Sequence, residues 1–262
     1  MSRPLVYAHR GGAKLRPENT LAAFDNGLAL GADGLELDVR LSRDGDVVVH
    51  HDEWLDRTTN ARGPVADRTA AELASVDAGY AFRSGDDRNP HPFRGAGIGV
   101  PRLAEVLDRY PGIPLIVELK LASEELARKT VEIVLARGAL ERVALGSFSG
   151  GALRVARRIG RGVRTGAGRE ETRWALYRSW VGWPLGRPAY QEFQVPEKAG
   201  ATRVVSRRFV AHAHRAGIAV KVWTVDEEAD MTRLLDWGVD GLISDRPDVA
   251  AAVVSARASR RS

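Results

Sequence analysis

Cysteine is absent from all 262 residues, which excludes disulfides, thiolate zinc sites and cysteine nucleophiles together. Long apolar runs are missing as well. No stretch approaches the ~18 apolar residues of a membrane-spanning helix. Residues Met1–Pro4 are too short for the charged and apolar regions of a secretory leader. The expected location is therefore the cytoplasm. Nucleotide-binding loops are missing too: Gly11-Gly12 does not extend to GxGxxG, and GxxxxGK(S/T) occurs nowhere. Lysine is scarce, with arginine supplying 34 of the 39 basic residues. The net charge is +5, but the 34 acidic residues are interleaved with the basic ones. That pattern describes a solvated, arginine-biased surface and weighs against a nucleic-acid binder, which would cluster its charge.

What remains is an ordinary globular composition, 44% hydrophobic and 28% charged. Short runs rich in Val, Ile and Leu read as strands: Leu5–Ala8, Leu35–Val39, Leu115–Leu119, Val143–Ser147, Val163–Gly166, Glu192–Val195, Ala219–Thr224 and Gly241–Ser244. Val47–His50 reads as an extension or hairpin partner of the second. Helical spacing marks Thr20–Leu30, Leu103–Tyr110, Glu124–Arg137, Gly151–Ile159, Arg207–Ala216 and Glu227–Trp237. Asn19 or Thr20 is placed to cap the first of these. Gly31, Gly138, Gly217 and Gly238 follow helices and precede strands. Strand, helix, glycine, strand, repeated about eight times at this length, predicts one α/β domain over residues 1–262, a (β/α)8 TIM barrel. An open doubly wound sheet ranks second, because its glycine fingerprint is missing.

Two regions break the rhythm. Residues 55–100 are far too long for a connection. They contain a helical piece, Thr69–Val76, and a Gly-, Pro- and Arg-rich stretch, and are expected to form an insertion after strand two, over the mouth of the barrel. Arg173–Pro188 carries Trp174, Tyr177, Trp180 and Trp183. An amphipathic lid packed on the barrel is the expectation there. The competing reading is peripheral membrane contact through 173–188, since Trp and Tyr join an apolar body to a polar tip and Arg173, Arg178 and Arg187 suit anionic headgroups. The basic tail Arg257–Ser262 is expected to fray.

Ionisable residues concentrate at the ends of early strands. His9 and Arg10 precede Gly11-Gly12, where backbone can approach an anion closely and an arginine fork suits phosphate oxygens. On strand two, Glu36 and Asp38 share one face while Leu35, Leu37 and Val39 share the other. Two carboxylates facing the same way repel unless paired with arginine or with a bound cation, and oxygen ligands favour Mg²⁺, Ca²⁺ or Mn²⁺ over zinc. Glu118 can complete a carboxylate triad, and Lys120 can meet phosphate or neutralise a neighbouring acid. His50-His51-Asp52 supplies a second histidine and so an acid–base pair. At the C-terminal ends of barrel strands this set points to metal-assisted phosphoryl transfer.

The ordered motifs His9-Arg10-Gly11-Gly12, Pro17-Glu18-Asn19-Thr20, Glu36-Leu37-Asp38-Val39, Val49-His50-His51-Asp52, Leu55-Asp56-Arg57-Thr58-Thr59, Val117-Glu118-Leu119-Lys120, Val222-Trp223-Thr224-Val225 and Ser244-Asp245-Arg246-Pro247 resemble those of the glycerophosphodiester phosphodiesterases, from about Leu5 to about Pro247. The resemblance implies a barrel with a small insertion after strand two. It also implies hydrolysis of a small-molecule glycerophosphodiester to sn-glycerol 3-phosphate and an alcohol, with one divalent metal ion, Mg²⁺ or Ca²⁺ with Mn²⁺ as a further choice. By motif, His9 and His51 match the catalytic histidines, Glu36, Asp38 and Glu118 the metal ligands, Arg10 and Lys120 the phosphate surroundings, and Trp223 a pocket wall. His51 is preferred to His50 because the family histidine directly precedes an aspartate, and neighbouring strand residues face opposite ways. The rival readings are a lysophospholipase D-type phosphodiesterase at a membrane surface, a non-catalytic barrel that binds metal or ligand, and a basic nucleic-acid binder.

Overall fold

The computed structural model describes residues 3–85 and 88–259. In chain order the elements are β1 (Leu5–His9), α1 (Leu21–Ala29), β2 (Gly34–Leu41), β3 (Val47–Val49), α2 (Ala70–Ala74), α3 (Leu103–Arg109), β4 (Leu115–Leu119), α4 (Glu124–Ala136), β5 (Val143–Gly146), α5 (Gly150–Ile159), β6 (Arg164–Thr165) and α6 (Arg169–Val181). Then follow β7 (Glu192–Pro196), β8 (Lys198–Ala199), β9 (Thr202–Arg203), α7 (Arg207–Arg215), β10 (Ala219–Trp223), α8 (Glu228–Trp237), β11 (Gly241–Ser244) and α9 (Pro247–Ser259).

Eight parallel strands run in the order β6-β5-β4-β2-β1-β11-β10-β7, and a parallel bridge between Gly166 and Glu192 joins the two ends. The expected (β/α)8 barrel is therefore present. Strand alternation sorts its residues. Val6 and Ala8 of β1, Leu35, Leu37 and Val39 of β2, Leu115, Val117 and Leu119 of β4, and Val220 and Val222 of β10 join the helices in the main apolar core. Each fully buried Leu or Val there contributes about 1.5–3 kcal/mol of transfer free energy. The intervening residues point into the barrel. Tyr7, Ile116 and Ile243 fill its lower part, together with a buried pair in which Lys221 Nζ donates to both Glu192 carboxylate oxygens at 2.9 and 2.8 Å. The inward positions nearer the strand C-termini are polar.

β3 pairs antiparallel with β2, with Val39 opposite Val49, so Val47–His50 is a hairpin partner. The segment after it contains a 3-10 turn at Val65–Asp67 and α2. A separate apolar cluster of Val48, Leu55, Val65, Ala70, Leu73, Ala78 and Val100 holds it together. It reaches the end of the barrel where the strands' C-termini lie: Arg16, in the β1–α1 loop, lies 5.2 Å from the Phe93 ring centroid.

Three expectations need correction. Arg173–Pro188 is not a lid. Most of it belongs to α6, an ordinary outer helix of the barrel, which buries Ala175, Leu176 and Ser179. Those side chains form the face that packs, so the aromatic residues between them fall on the solvent side. Arg257–Ser259 does not fray but ends α9, where Arg257 Nη1 donates to Asp236 at 2.5 Å; the rest of that tail lies outside the described residues. The strand expected over Val163–Gly166 shrinks to Arg164–Thr165.

Candidate active site

Register assembles the site before any side-chain choice is made. In the β1–β2 pairing His9 lies beside Glu36, and in the β2–β4 pairing Asp38 lies beside Glu118. All four point inward at the C-terminal end. The carboxylates of Glu36, Asp38 and Glu118 bring one oxygen each within 4.8 Å of one another. Of the nine positions weighed for this site (His9, Arg10, Glu36, Asp38, His50, His51, Glu118, Lys120 and Trp223), His50 turns away: it is buried with Nε2 3.4 Å from the Trp54 carbonyl, while His51 faces the site, as alternation requires.

The tight turn after β1 brings backbone to the carboxylates. Arg10 adopts φ +50°, which lets its N–H donate to Glu36 Oε2 at 3.1 Å while its guanidinium lies 3.2 Å from Asp38 Oδ2. Lys120 Nζ stands 3.0 Å from both Asp38 Oδ1 and Glu118 Oε2. The arginine pairing considered for the two carboxylates therefore exists for Asp38, while Glu36 has only the Arg10 backbone N–H and His9 beside it. Burial raises the Glu36 carboxyl to about 8, with Asp38 and Glu118 adding repulsion. Burial also lifts Glu118, against the pull of Lys120. Asp38 moves the other way: burial opposes ionisation there, but Lys120 and Arg10 outweigh it. Glu118 Oε1 is buried with no hydrogen-bond partner. Three convergent carboxylates, one with an unused buried oxygen, form an all-oxygen donor set that fits a hard divalent cation.

Each histidine is backed by a carboxylate. His9 Nδ1 meets Asp245 Oδ1 at 2.6 Å, and His51 Nδ1 meets Asp52 Oδ1 at 2.6 Å. A proton on Nδ1 in these pairs leaves Nε2 facing the site; His9 Nε2 is 3.8 Å from Glu36. The electrostatics differ. Burial disfavours the charged form of His9, yet Glu36 and Asp245 more than offset it, and its pKa is raised. For His51 burial wins over Asp38 and Asp52, and its pKa is lowered.

Several contributors stand in or next to the quoted motifs without having been given a role in the site. Asn19, at φ +58°, donates through Nδ2 to Asp38 Oδ2 at 2.8 Å and accepts from the Asp38 N–H at 3.2 Å. Thr20, not Asn19, caps α1. Arg57 donates to both Glu18 oxygens at 2.8 and 2.7 Å and, through Nε, to Asp52. Glu18 in turn accepts from Arg10 at 3.0 Å. Asp226 accepts from Ser244 Oγ and the Asp245 N–H at 2.9 and 2.8 Å, which fixes the loop carrying Asp245. Trp223 ends β10 and meets Phe148 edge-on at 6.0 Å between ring centroids, forming an aromatic wall at the same end of the barrel.

Comparison with known proteins agrees with this geometry. The sequence profile of the glycerophosphoryl diester phosphodiesterase family matches residues 9–249. A glycerophosphodiester phosphodiesterase of Caldanaerobacter subterraneus subsp. tengcongensis is 33% identical over 96% of this chain and 98% of its own length. The crystal structure of a glycerophosphodiester phosphodiesterase from Agrobacterium tumefaciens superposes with a TM-score of 0.76 at 31% identity, covering 95% of this chain and 99% of that one. A phosphodiesterase from Oleispira antarctica, solved in complex with the product sn-glycerol-3-phosphate, gives a TM-score of 0.76 at 26% identity over 96% and 97% of the two chains.

Proposed function

The chain belongs to the glycerophosphoryl diester phosphodiesterase family, and from that premise we propose that it hydrolyses small glycerophosphodiesters to sn-glycerol 3-phosphate and an alcohol, using His9 and His51 as its acid–base pair. The observation that carries this reading is the pair of histidine–carboxylate dyads beside one convergent carboxylate triad.

A divalent cation, Mg²⁺ or Ca²⁺ with Mn²⁺ also suited to oxygen ligands, would be held by Glu36, Asp38 and Glu118 and would draw charge from the phosphate oxygens. Arg10 and Lys120 bind the remaining phosphate charge and stabilise what develops in the transition state. One histidine removes a proton from the nucleophile, either water directly or the adjacent glycerol hydroxyl, in which case the alcohol leaves behind a cyclic phosphate that water then opens to sn-glycerol 3-phosphate. The other donates a proton to the departing alkoxide oxygen through Nε2. Asp245 and Asp52 hold the two rings in the required tautomer and orientation. Trp223 packs on the glycerol carbons.

The test is release of sn-glycerol 3-phosphate from glycerophosphocholine and glycerophosphoethanolamine, with Mg²⁺, Ca²⁺, Mn²⁺ or EDTA, and a lysophospholipid in parallel. Metal-dependent turnover of the small diesters is the expected result. Turnover of the lysolipid alone would refute the proposed substrate class, and full activity in EDTA would refute the role of the triad.

A further inference from the structure

The largest run of exposed aromatic surface lies outside the site, on α6 and the turn that follows it. Trp174, Tyr177, Trp180 and Trp183 are 62%, 44%, 50% and 67% exposed, and Val181 between them is 75% exposed. Three of the rings form a ridge, with Trp183 exposed just beyond it. Trp174 meets Tyr177 edge-on at 6.2 Å, and Tyr177 meets Trp180 at 5.3 Å. Contiguous apolar surface of this kind on a soluble barrel marks an interaction face.

Charge identifies the partner. Residues 169–188 and the neighbouring helix α7 together hold seven arginines against two glutamates. One of those glutamates, Glu171, is tied to Arg157 at 2.7 and 3.0 Å. The arginines lean on neutral partners: Arg178 donates to the Pro184 and Leu185 carbonyls, Arg208 to the Trp180 carbonyl, and Arg215 to His212. Among the described residues none of the seven is ion-paired with a carboxylate. Burial, with the nearby charges of Arg215, Arg208 and Arg178, holds the His212 pKa below its ordinary value.

A second copy of this chain docking by two-fold symmetry would set those arginines against one another. An anionic bilayer complements both features, because Trp and Tyr settle at the headgroup boundary while arginine pairs with lipid phosphate. We propose that the α6–α7 face is a docking surface for an anionic lipid bilayer. The aromatic ridge lies on an outer helix of the barrel, so docking through it leaves the site open to a water-soluble diester.

The experiment is flotation of the full chain with phosphatidylcholine vesicles containing or lacking phosphatidylglycerol, at low and high salt, beside sedimentation velocity without lipid. Flotation that requires phosphatidylglycerol is expected. It should weaken at least about tenfold in a Trp174→Ala/Trp183→Ala variant and in an Arg173→Glu/Arg207→Glu variant, both of which keep full diester hydrolysis. Absence of flotation, flotation unaffected by both variants, or a lipid-free dimer that the tryptophan variant dissolves while vesicles fail to bind would each overturn the proposal.

Discussion

Replacing Arg57 with alanine removes one side chain that steadies two parts of the site at once. Its guanidinium grips both Glu18 oxygens and one oxygen of Asp52; Glu18 holds Arg10 and Asp52 holds His51. Arg57 is half-exposed, with its side chain at 50% against 15% for Glu18, so solvent discounts the stability effect to about 1–2 kcal/mol. The rate should suffer more, because loss of groups that orient functional side chains typically costs about 10–100-fold. Misoriented His51 lowers kcat, and a displaced Arg10 raises KM. Lysine restores the charge but not the planar fork that spans two carboxylates. Arg57→Lys should therefore recover the melting temperature more fully than the rate. Steady-state hydrolysis of glycerophosphocholine alongside thermal melts of both variants tests this. A folded Arg57→Ala enzyme with kcat and KM within twofold of the parent would refute the reasoning.

His9→Ala and His51→Ala should each lower kcat by about 10²–10⁴, and near-full activity in either would remove that residue from the mechanism. Glu36, raised to about 8, holds a proton in the folded metal-free protein over a pH range where the unfolded chain has lost it. Stability of the EDTA-treated protein should thus fall as pH rises from about 4.5 towards 8, by on the order of 5 kcal/mol at about 1.4 kcal/mol per pH unit. Glu36→Gln should flatten that slope in denaturant titrations, and an unchanged slope would be inconsistent with the burial argument. Calorimetric titration with Mg²⁺, Ca²⁺ or Mn²⁺ should show one site that Glu118→Gln weakens at least about tenfold; equal affinity in the variant would remove Glu118 from the ligand set. Gly11→Ala should cost at least about 2 kcal/mol, since φ is +86° and a Cβ there would lie 2.6 Å from that of Ala23; a melt matching the parent would contradict it.

The barrel was legible because its strands are bare Val, Ile and Leu runs whose alternate positions alone carry chemistry. Leu35, Leu37 and Val39 announce the outer face of β2, so Glu36 and Asp38 stand out as the inner one. The partners of the histidines were harder to read. Asp245 lies 236 residues from His9, and only closure of the barrel joins them; Arg57 reaches Glu18 across 39 residues. Helix α6 was misjudged because its tryptophans suggested a buried face, when Ala175, Leu176 and Ser179 do the packing. The β8–β9 hairpin, two residues a side, is too short to leave any periodicity, whereas β6 is legible but reads two residues too long.

The seam between β1 and β11, where Leu5 aligns with Gly241 and Ala8 with Ser244, has a consequence for synthesis. The ribosome releases the first strand early, yet one of its edges stays open until the last strand emerges. At roughly 5–20 residues per second, that wait lasts about 10–50 s. Throughout it the nascent chain carries His9 without Asp245, together with an unpaired hydrophobic strand of the kind that invites chaperones. Hydrolytic competence therefore arrives late and all at once, when β11 slots in beside β1.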